Sequence, residues 1–252
     1  MVRTVLITGA TSGIGKAIAY SFAKNGDNLV ITGRRSQKLR EIQEDLQATF
    51  GVTVWAYTMD VTKEEEVATT CQTILAEVGA IHVLVNNAGL ALGLDKFHDY
   101  KPGDMMTMLD TNVKGLLLVT RHILPRMVRE NHGHIINIGS TAGIYAYAGA
   151  AVYAATKAAV KVLSDGIRID TIDTNIKVST IQPGIVKTDF SQVRFHGDKE
   201  RAAQVYEGVE ALQAEDIASC VLFVANQPKH VQISDMTIMA TQQATGFMIH
   251  RE

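Results

Sequence analysis

The side chains with the clearest catalytic potential are Tyr153 and Lys157, which stand four residues apart. That spacing places both on one face of a helix. A nearby ammonium favours phenolate over phenol, so it brings a hydroxyl with a reference pKa of about 10 closer to the working range. Tyr153 is therefore a candidate general acid or base. Ser140, thirteen residues earlier at the end of an apolar run, is placed to hydrogen-bond a substrate oxygen.

A glycine-rich segment near the start indicates a phosphate-binding turn. It follows an apolar run, precedes a helical pattern and has the spacing G-x-x-x-G-x-G. Glycines allow a tight turn and a close approach of the backbone to a pyrophosphate at a helix N-terminus. An ordinary glycine-rich turn is the alternative. The candidate cofactor-binding residues here are Gly9, Thr11, Ser12, Gly13, Ile14 and Gly15.

Two adjacent arginines, Arg34 and Arg35, follow the second apolar run. A dinucleotide fold that prefers NAD normally has an acid about here, which binds the ribose 2′-hydroxyl. This sequence has no acid until Glu41, and guanidinium groups pair well with a 2′-phosphate dianion. The pattern favours NADP over NAD. The alternative is a solvated basic start to a helix.

Small and polar residues follow the third and fourth apolar runs, where a cofactor would pass. Asp60, which is followed by Val61, can accept a hydrogen bond from an adenine amino group or instead cap a helix. Further on, the small residues Ala88 and Gly89 after Asn87 permit close backbone approach, although a plain turn would have the same composition.

The elements that must position these residues are short β-branched runs that alternate with longer amphipathic stretches. We predict buried strands at 5–7, 29–31, 52–54, 83–85, 135–138 and 178–181, and helices over 36–49 and 63–78. Thr62 and Glu65 fit a capping box that opens the second of these helices. The alternation predicts an α/β fold: a Rossmann-type, doubly wound, mostly parallel sheet with helices on both faces. The four scattered prolines and the absence of a linker favour one domain over residues 1–252.

Composition excludes several classes of protein. Lys and Arg number 24 against 26 Asp and Glu, so the net charge of −2 argues against a nucleic-acid-binding protein. Cys71 and Cys220 are too few for a disulfide framework, which favours a reducing compartment. The longest uncharged apolar run, residues 142–155, is too short to span a bilayer. We therefore expect a soluble cytoplasmic protein.

Taken together, these motifs resemble the short-chain dehydrogenase/reductase family over essentially the whole chain. The matching motifs are the segment 8–15, the Asn-Asn-Ala-Gly run at 86–89, Asn112, Ser140, Tyr153, Lys157, Pro183 and Gly184. The resemblance implies a catalytic tetrad of Asn112, Ser140, Tyr153 and Lys157. Tyr153 would then transfer the proton, and Ser140 would hold the substrate oxygen. Lys157 would lower the Tyr153 pKa and bind the nicotinamide ribose, and Asn112 would support a proton-relay water.

The same resemblance implies further contacts and an assembly. Pro183, Gly184, Val186 and Thr188 would contact the nicotinamide end of the cofactor, and a substrate loop would occupy about 185–212. Arg34 occupies the position of the family's NADP-type arginine, which agrees with the charge argument. A homotetramer built on helices containing residues 114–128 and 153–172 is also implied.

Within the family, the stretches 87–93, 131–134 and 139–143 resemble bacterial and yeast NADP-dependent 3-hydroxy acid dehydrogenases. That similarity implies hydride transfer between NADP(H) and a small 3-hydroxy acid such as serine, allo-threonine or 3-hydroxypropionate. Arg194 would then pair with the substrate carboxylate or, alternatively, remain a solvated loop residue. Two other functions stay open: a carbonyl or 3-oxoacyl reductase of the same family, and a non-catalytic NADP-binding sensor.

Two further motifs do not develop into sites. His132 and His134 flank a glycine without other ligands nearby in the sequence, so we predict a surface turn and no metal. A serine-hydrolase elbow at Ser140 fails because Ile138 stands where glycine is required.

Overall fold

One seven-stranded parallel sheet organises the chain in the computed structural model, which describes residues 2–252. The strands are β1 Thr4–Thr8, β2 Asn28–Gly33, β3 Val54–Thr58, β4 Val83–Asn86, β5 Gly133–Ile138, β6 Ile176–Pro183 and β7 Asp235–Ile238. Their order is β3-β2-β1-β4-β5-β6-β7, and every neighbouring pair is parallel. The order reverses between β1 and β4, and a crevice opens at the carboxyl ends of the strands at such a point.

Helices cover both faces of this sheet. They are α1 Gly13–Lys24, α2 Ser36–Phe50, α3 Glu64–Glu77, α4 Pro102–Leu109, α5 Gly115–Glu130, α6 Ala151–Asp170, α7 Phe190–Arg194, α8 Lys199–Gln204 and α9 Ala214–Ala225. Helices α1, α2 and α9 pack on one face, while α3 and α5 supply the buried side chains of the other. Within residues 2–252, no helix is both long and apolar enough to cross a membrane.

Strand side chains alternate between the two cores, as the period of two requires. Val5 and Ile7 of β1 pack beneath α1 and α9, whereas Leu6 between them packs against the opposite layer. All three are fully buried, and burying a side chain of this size contributes about 1.5–3 kcal/mol. The predicted doubly wound α/β fold is confirmed.

Two local predictions are wrong, and one strand was missed. The third strand begins at Val54 rather than residue 52, because Gly51 is left-handed (φ 67°) at the end of α2 and the chain turns before it pairs with β2. The edge strand β7 was not predicted, since it is short and carries polar residues. The capping box also does not form: α3 begins at Glu64 after Lys63, and the Thr62 hydroxyl donates to Asp60 Oδ1 (2.9 Å).

Candidate active site

A cleft of about 390 Å³ lies across the carboxyl ends of the strands. Its walls include every residue predicted to bind a cofactor: Gly9, Thr11, Ser12, Gly13, Ile14, Gly15, Arg34, Arg35, Asp60, Val61, Asn87, Ala88, Gly89, Tyr153, Lys157, Pro183, Gly184, Val186 and Thr188. Ser140 lines it as well. The structure therefore brings together residues that are spread over most of the chain.

The glycine-rich turn between β1 and α1 forms one end of the cleft. Gly9 adopts a left-handed backbone (φ 68°), which residues with a Cβ rarely adopt. A Cβ on Gly15 would lie 2.3 Å from Asn87 Nδ2 and 2.4 Å from the Gly9 carbonyl oxygen. The Asn87 amide donates to the carbonyls of Thr8 (2.9 Å) and Gly9 (3.2 Å), so it ties this turn to the end of β4.

The two arginines after β2 have different surroundings. Arg35 is attached to the glycine-rich turn: its guanidinium donates to Thr11 Oγ1 (2.6 Å) and Ser12 Oγ (2.8 Å). Arg34 is exposed at the rim of the cleft, and within residues 2–252 its side chain makes no hydrogen bond or ion pair. The structure thus leaves Arg34 with its donors available, while Arg35 braces the turn.

Asp60 forms a local turn instead of capping a helix. Its Oδ1 accepts hydrogen bonds from the Thr62 backbone N–H (3.0 Å) and hydroxyl (2.9 Å). Burial raises its pKa, but the Thr62 hydrogen bonds and the charges of Arg34 and Lys63 outweigh burial and hold the pKa below its usual value. The carboxylate is therefore ionised at neutral pH and faces the cleft beside Arg34.

Tyr153 and Lys157 project from α6 into the floor of the cleft, and both are buried. Lys157 Nζ lies 6.0 Å from the centroid of the Tyr153 ring and donates to the carbonyl of Ile138 at the end of β5 (2.8 Å). Ser140 follows that strand end, and its Oγ accepts from the Ala142 N–H (3.1 Å). One strand end and one helix face therefore supply the three polar side chains.

Burial dominates the proton affinities here. It raises the pKa of Tyr153 to about 12, although the Arg194 charge and the Ser140 hydroxyl act in the opposite direction. Burial also lowers the pKa of Lys157 to about 8. The charge that opposes burial at Tyr153 is that of Arg194, and the expected effect of Lys157 on the Tyr153 pKa stays a prediction.

Asn112 lies behind the wall of the cleft. It sits in a π-helical turn, Asp110–Lys114, that links α4 to α5. Its Oδ1 accepts from the Leu90 N–H (2.8 Å), and its amide donates to the Leu90 carbonyl (2.8 Å) and to Thr156 Oγ1 (3.0 Å). The side chain therefore links the segment after β4 to the helix that carries Tyr153 and Lys157.

The segment after β6 closes the cleft over the glycine-rich turn. A Cβ on Gly13 would lie 3.3 Å from Thr188 Cβ, so these two segments are close neighbours. Two residues that the sequence analysis did not identify hold the segment. Tyr206 donates to the Val186 carbonyl (3.2 Å), and Gln243 Oε1 accepts from the Ile185 N–H (2.8 Å).

Arg194, at the end of α7, lies against the rings at the floor of the cleft. Its guanidinium carbon is 5.1 Å from the Tyr153 ring centroid and 5.2 Å from that of Phe190. Its Nε is buried and has no hydrogen-bond partner within residues 2–252. Arg194 thus brings a cation with a free donor to the side of Tyr153.

A buried polar chain supports the site from below and was also missed. The Asn86 amide donates to Asn137 Oδ1 (2.9 Å), and the Asn137 amide donates to Ser164 Oγ on α6 (2.8 Å). The signal in the sequence is an asparagine inside the apolar run 135–138. A buried amide requires hydrogen-bond partners, so this pattern indicates a network that joins β4, β5 and α6.

The predicted surface turn holds for His132, which is exposed between α5 and β5, but is wrong for His134. His134 is buried in β5, and its Nε2 lies 2.8 Å from Ser179 Oγ. Burial, together with the charges of Lys177 and Arg3, lowers the pKa of His134 to about 3. No group of three metal-ligating side chains occurs in the part of the chain that the structure describes.

The chain belongs to the short-chain dehydrogenase family, whose model matches residues 3–199. The NADP-dependent 3-hydroxy acid dehydrogenase YdfG of Salmonella typhi is 46% identical over 249 residues, which cover 98% of this chain and 99% of that protein. The NADP-dependent 3-hydroxy acid dehydrogenase of Schizosaccharomyces pombe is 40% identical over 99% of this chain and 97% of that protein. A closed form of serine dehydrogenase complexed with NADP⁺ superposes with a TM-score of 0.92 at 43% identity, covering 99% and 100% of the two chains. The family prediction is confirmed.

Proposed function

We propose that the protein is an NADP-dependent oxidoreductase that interconverts a small 3-hydroxy acid, such as serine, allo-threonine or 3-hydroxypropionate, with the matching 3-oxo acid. The observation that carries the proposal is the placement of the Arg194 guanidinium against the ring of Tyr153, a residue that lines the dinucleotide-type cleft. That arrangement offers a proton-transferring group and a carboxylate-binding group to the same small molecule. The names of the similar proteins support the same chemistry.

The residues of the cleft fit NADP. The turn at Gly9 and Gly15 leaves no room for side chains where a pyrophosphate would approach the start of α1. Arg34 has free guanidinium donors at the position expected for a 2′-phosphate, and the ionised Asp60 is placed to accept from an adenine amino group. When bound, the cofactor supplies a hydride to the carbonyl carbon or accepts one from the carbinol carbon.

The chain's own residues would handle the proton and the substrate. In the reductive direction Tyr153 donates its phenolic proton to the carbonyl oxygen, and its raised pKa keeps that proton in place at neutral pH. Ser140 would donate a hydrogen bond to the same oxygen. Lys157, fixed by the Ile138 carbonyl, would bind the nicotinamide ribose. Asn112 would hold the wall behind them and thereby support the proton-relay water.

Arg194 would select substrates that carry a carboxylate. Its Nε donor is buried without a partner, and leaving such a group unsatisfied is costly. A substrate carboxylate would satisfy it through a charge-assisted hydrogen bond. The residues between 185 and 212, including α7, would form the substrate loop.

We also propose a homotetramer and a cytoplasmic location. Large apolar side chains remain exposed on α5 and α6 and just after α6, among them Leu117 (42%), Val162 (69%), Ile169 (69%) and Ile172 (82%). Exposed apolar side chains are typical of an oligomer interface when they group into a patch. Free Cys71 and Cys220 agree with a reducing compartment.

A matched pair of substrates tests the proposed activity: 3-hydroxypropionate and its methyl ester, which lacks the negative charge. We expect NADP reduction with the acid, and we expect Arg194→Ala to raise KM for the acid about 10- to 100-fold while sparing the ester. Tyr153→Phe should abolish turnover with both and leave NADPH binding intact. Equal effects of Arg194→Ala on acid and ester would refute the carboxylate role. No turnover of any alcohol or carbonyl would indicate an NADP-binding protein without this activity.

A further inference from the structure

Two contacts attach the segment around Arg194 to the part of the chain between β4 and the first turn of α4. The Gly93 N–H donates to the Arg194 carbonyl oxygen (2.8 Å). Two residues further on, His196 Nε2 lies 3.1 Å from Oδ2 of Asp104, which is in the first turn of α4. Both contacts join residues that are far apart in the sequence, so together they fix this segment against the chain that follows β4.

The Arg194 guanidinium depends on these two attachments for its position. No ion pair holds it among residues 2–252, and its contacts are with the faces of Tyr153 and Phe190. Helix α7 has only five residues, which is too short to be stable by itself. Contacts outside the helix must therefore fix the direction in which Arg194 points.

The backbone at His196 indicates that the Asp104 contact is structurally specified. His196 has a left-handed conformation (φ 52°), which is unfavourable for a residue with a Cβ. Such conformations persist where surrounding contacts determine them, and they concentrate at functional segments. The Asp104 side chain is 18% exposed and that of His196 is 52% exposed, so a largely buried carboxylate binds a half-exposed imidazole.

We propose that Asp104 and His196 are positioning residues for substrate recognition: their contact holds Arg194 over Tyr153 and so sets the affinity for the substrate carboxylate. The proposal rests on the carboxylate-binding role of Arg194 in the proposed function. Neither residue reaches Tyr153 in the structure, so they act through Arg194.

Asp104→Ala tests this, with Asp99→Ala as the matched control, because Asp99 also pairs with a histidine (His98, 3.2 Å) but lies on the exposed surface. We expect Asp104→Ala to raise KM for 3-hydroxypropionate about three- to fivefold, the scale of a partly exposed ion pair. The value of kcat, and KM for the methyl ester, should stay within about twofold of wild type. Asp104→Asn, whose amide oxygen still accepts from the imidazole, should restore most of the affinity.

The deciding measurement is a double-mutant cycle. In an Arg194→Ala background, Asp104→Ala should cause no further rise in KM for the acid, since the residue through which it acts is gone. An equal rise in both backgrounds, or no rise in the wild-type background, would overturn the proposal. Failure of the proposed function gives a different result, in which Arg194→Ala itself does not discriminate acid from ester. Melting temperature and NADPH fluorescence confirm that each variant is folded; if Asp104→Ala does not fold, His196→Asn, which tolerates the left-handed backbone, takes its place in the cycle.

Discussion

The substitution Gly143→Ala tests how strictly the structure sets the distance between Ser140 and the face of α6 that carries Tyr153 and Lys157. Gly143 ends the 3₁₀ turn that follows Ser140 and packs against the main chain of α6. A Cβ there would lie 2.6 Å from the carbonyl carbon of Lys157, 2.7 Å from its oxygen and 2.8 Å from the Ala158 nitrogen. These are atoms of a helix backbone, so they cannot rotate out of the way.

The size of the effect follows from those distances. Real Cβ contacts are not shorter than 3.0 Å, and ordinary contact begins at 3.4 Å, so the turn and the helix must separate by about 0.4 to 0.8 Å. Ser140 lies on one side of that contact, and Tyr153 and Lys157 lie on the other. A misplacement of about 1 Å can cost a factor of 10² in rate. We therefore expect Gly143→Ala to lower kcat about tenfold and stability by about 1–3 kcal/mol.

The control is Gly166→Ala on the same helix, where a Cβ would meet nothing within 4 Å. Alanine is favoured over glycine in a helix interior by about 0.5–1 kcal/mol, so this variant should keep wild-type kcat and melt about 2 °C higher. The assays are initial rates of NADP reduction with 3-hydroxypropionate and thermal unfolding followed by circular dichroism. If Gly143→Ala matched wild type in both kcat and melting temperature, the close packing of the turn on α6 would be refuted.

Three further substitutions separate roles within the cleft. Arg34→Ala should weaken NADPH binding about 10- to 100-fold more than NADH binding in fluorescence titrations, whereas Arg35→Ala should weaken both equally because it loosens the glycine-rich turn; equal losses for Arg34→Ala would contradict its role. Burial lowers the pKa of Lys157 from 10.5 to about 8. Between these two pH values the unfolded chain binds more protons than the folded one, so the free energy of unfolding rises with pH over that range. Between pH 8 and about 9.5, urea unfolding should show a gain of about 1.5 kcal/mol in wild type that Lys157→Met lacks; equal slopes would show that Lys157 is not desolvated.

The fold could be predicted because its signals are local. Apolar runs alternate with amphipathic stretches, and that pattern predicts that the six strands run parallel to one another. The strand at 54–58 was placed too early because its half-buried aromatics Trp55 and Tyr57 look less like a core strand than Val52 and Thr53 do. Strand β7 carries no comparable apolar run.

The residues of the site were predictable where they form a local sequence motif. Contacts between residues that are distant in the sequence were not predictable. Types and spacing indicate Tyr153 and Lys157, but they do not show that Arg35 turns back to the glycine-rich turn. The side-chain contact between Asp104 and His196 joins residues 92 positions apart, and no local sequence pattern predicts it. Such pairings exist only once the sheet has brought the loops together.

The balance between burial and charge explains how one pocket can hold a proton on Tyr153 while keeping cations close to it. The net charge of −2 does not predict this balance, because the balance depends on Lys157 and Arg194 close to the Tyr153 ring. Lys157 is deeply buried, so its pKa of about 8 lets it lose charge within the range in which enzymes work. Burial raises the Tyr153 pKa to about 12 although the Arg194 charge acts in the opposite direction, so the phenol keeps its proton at neutral pH.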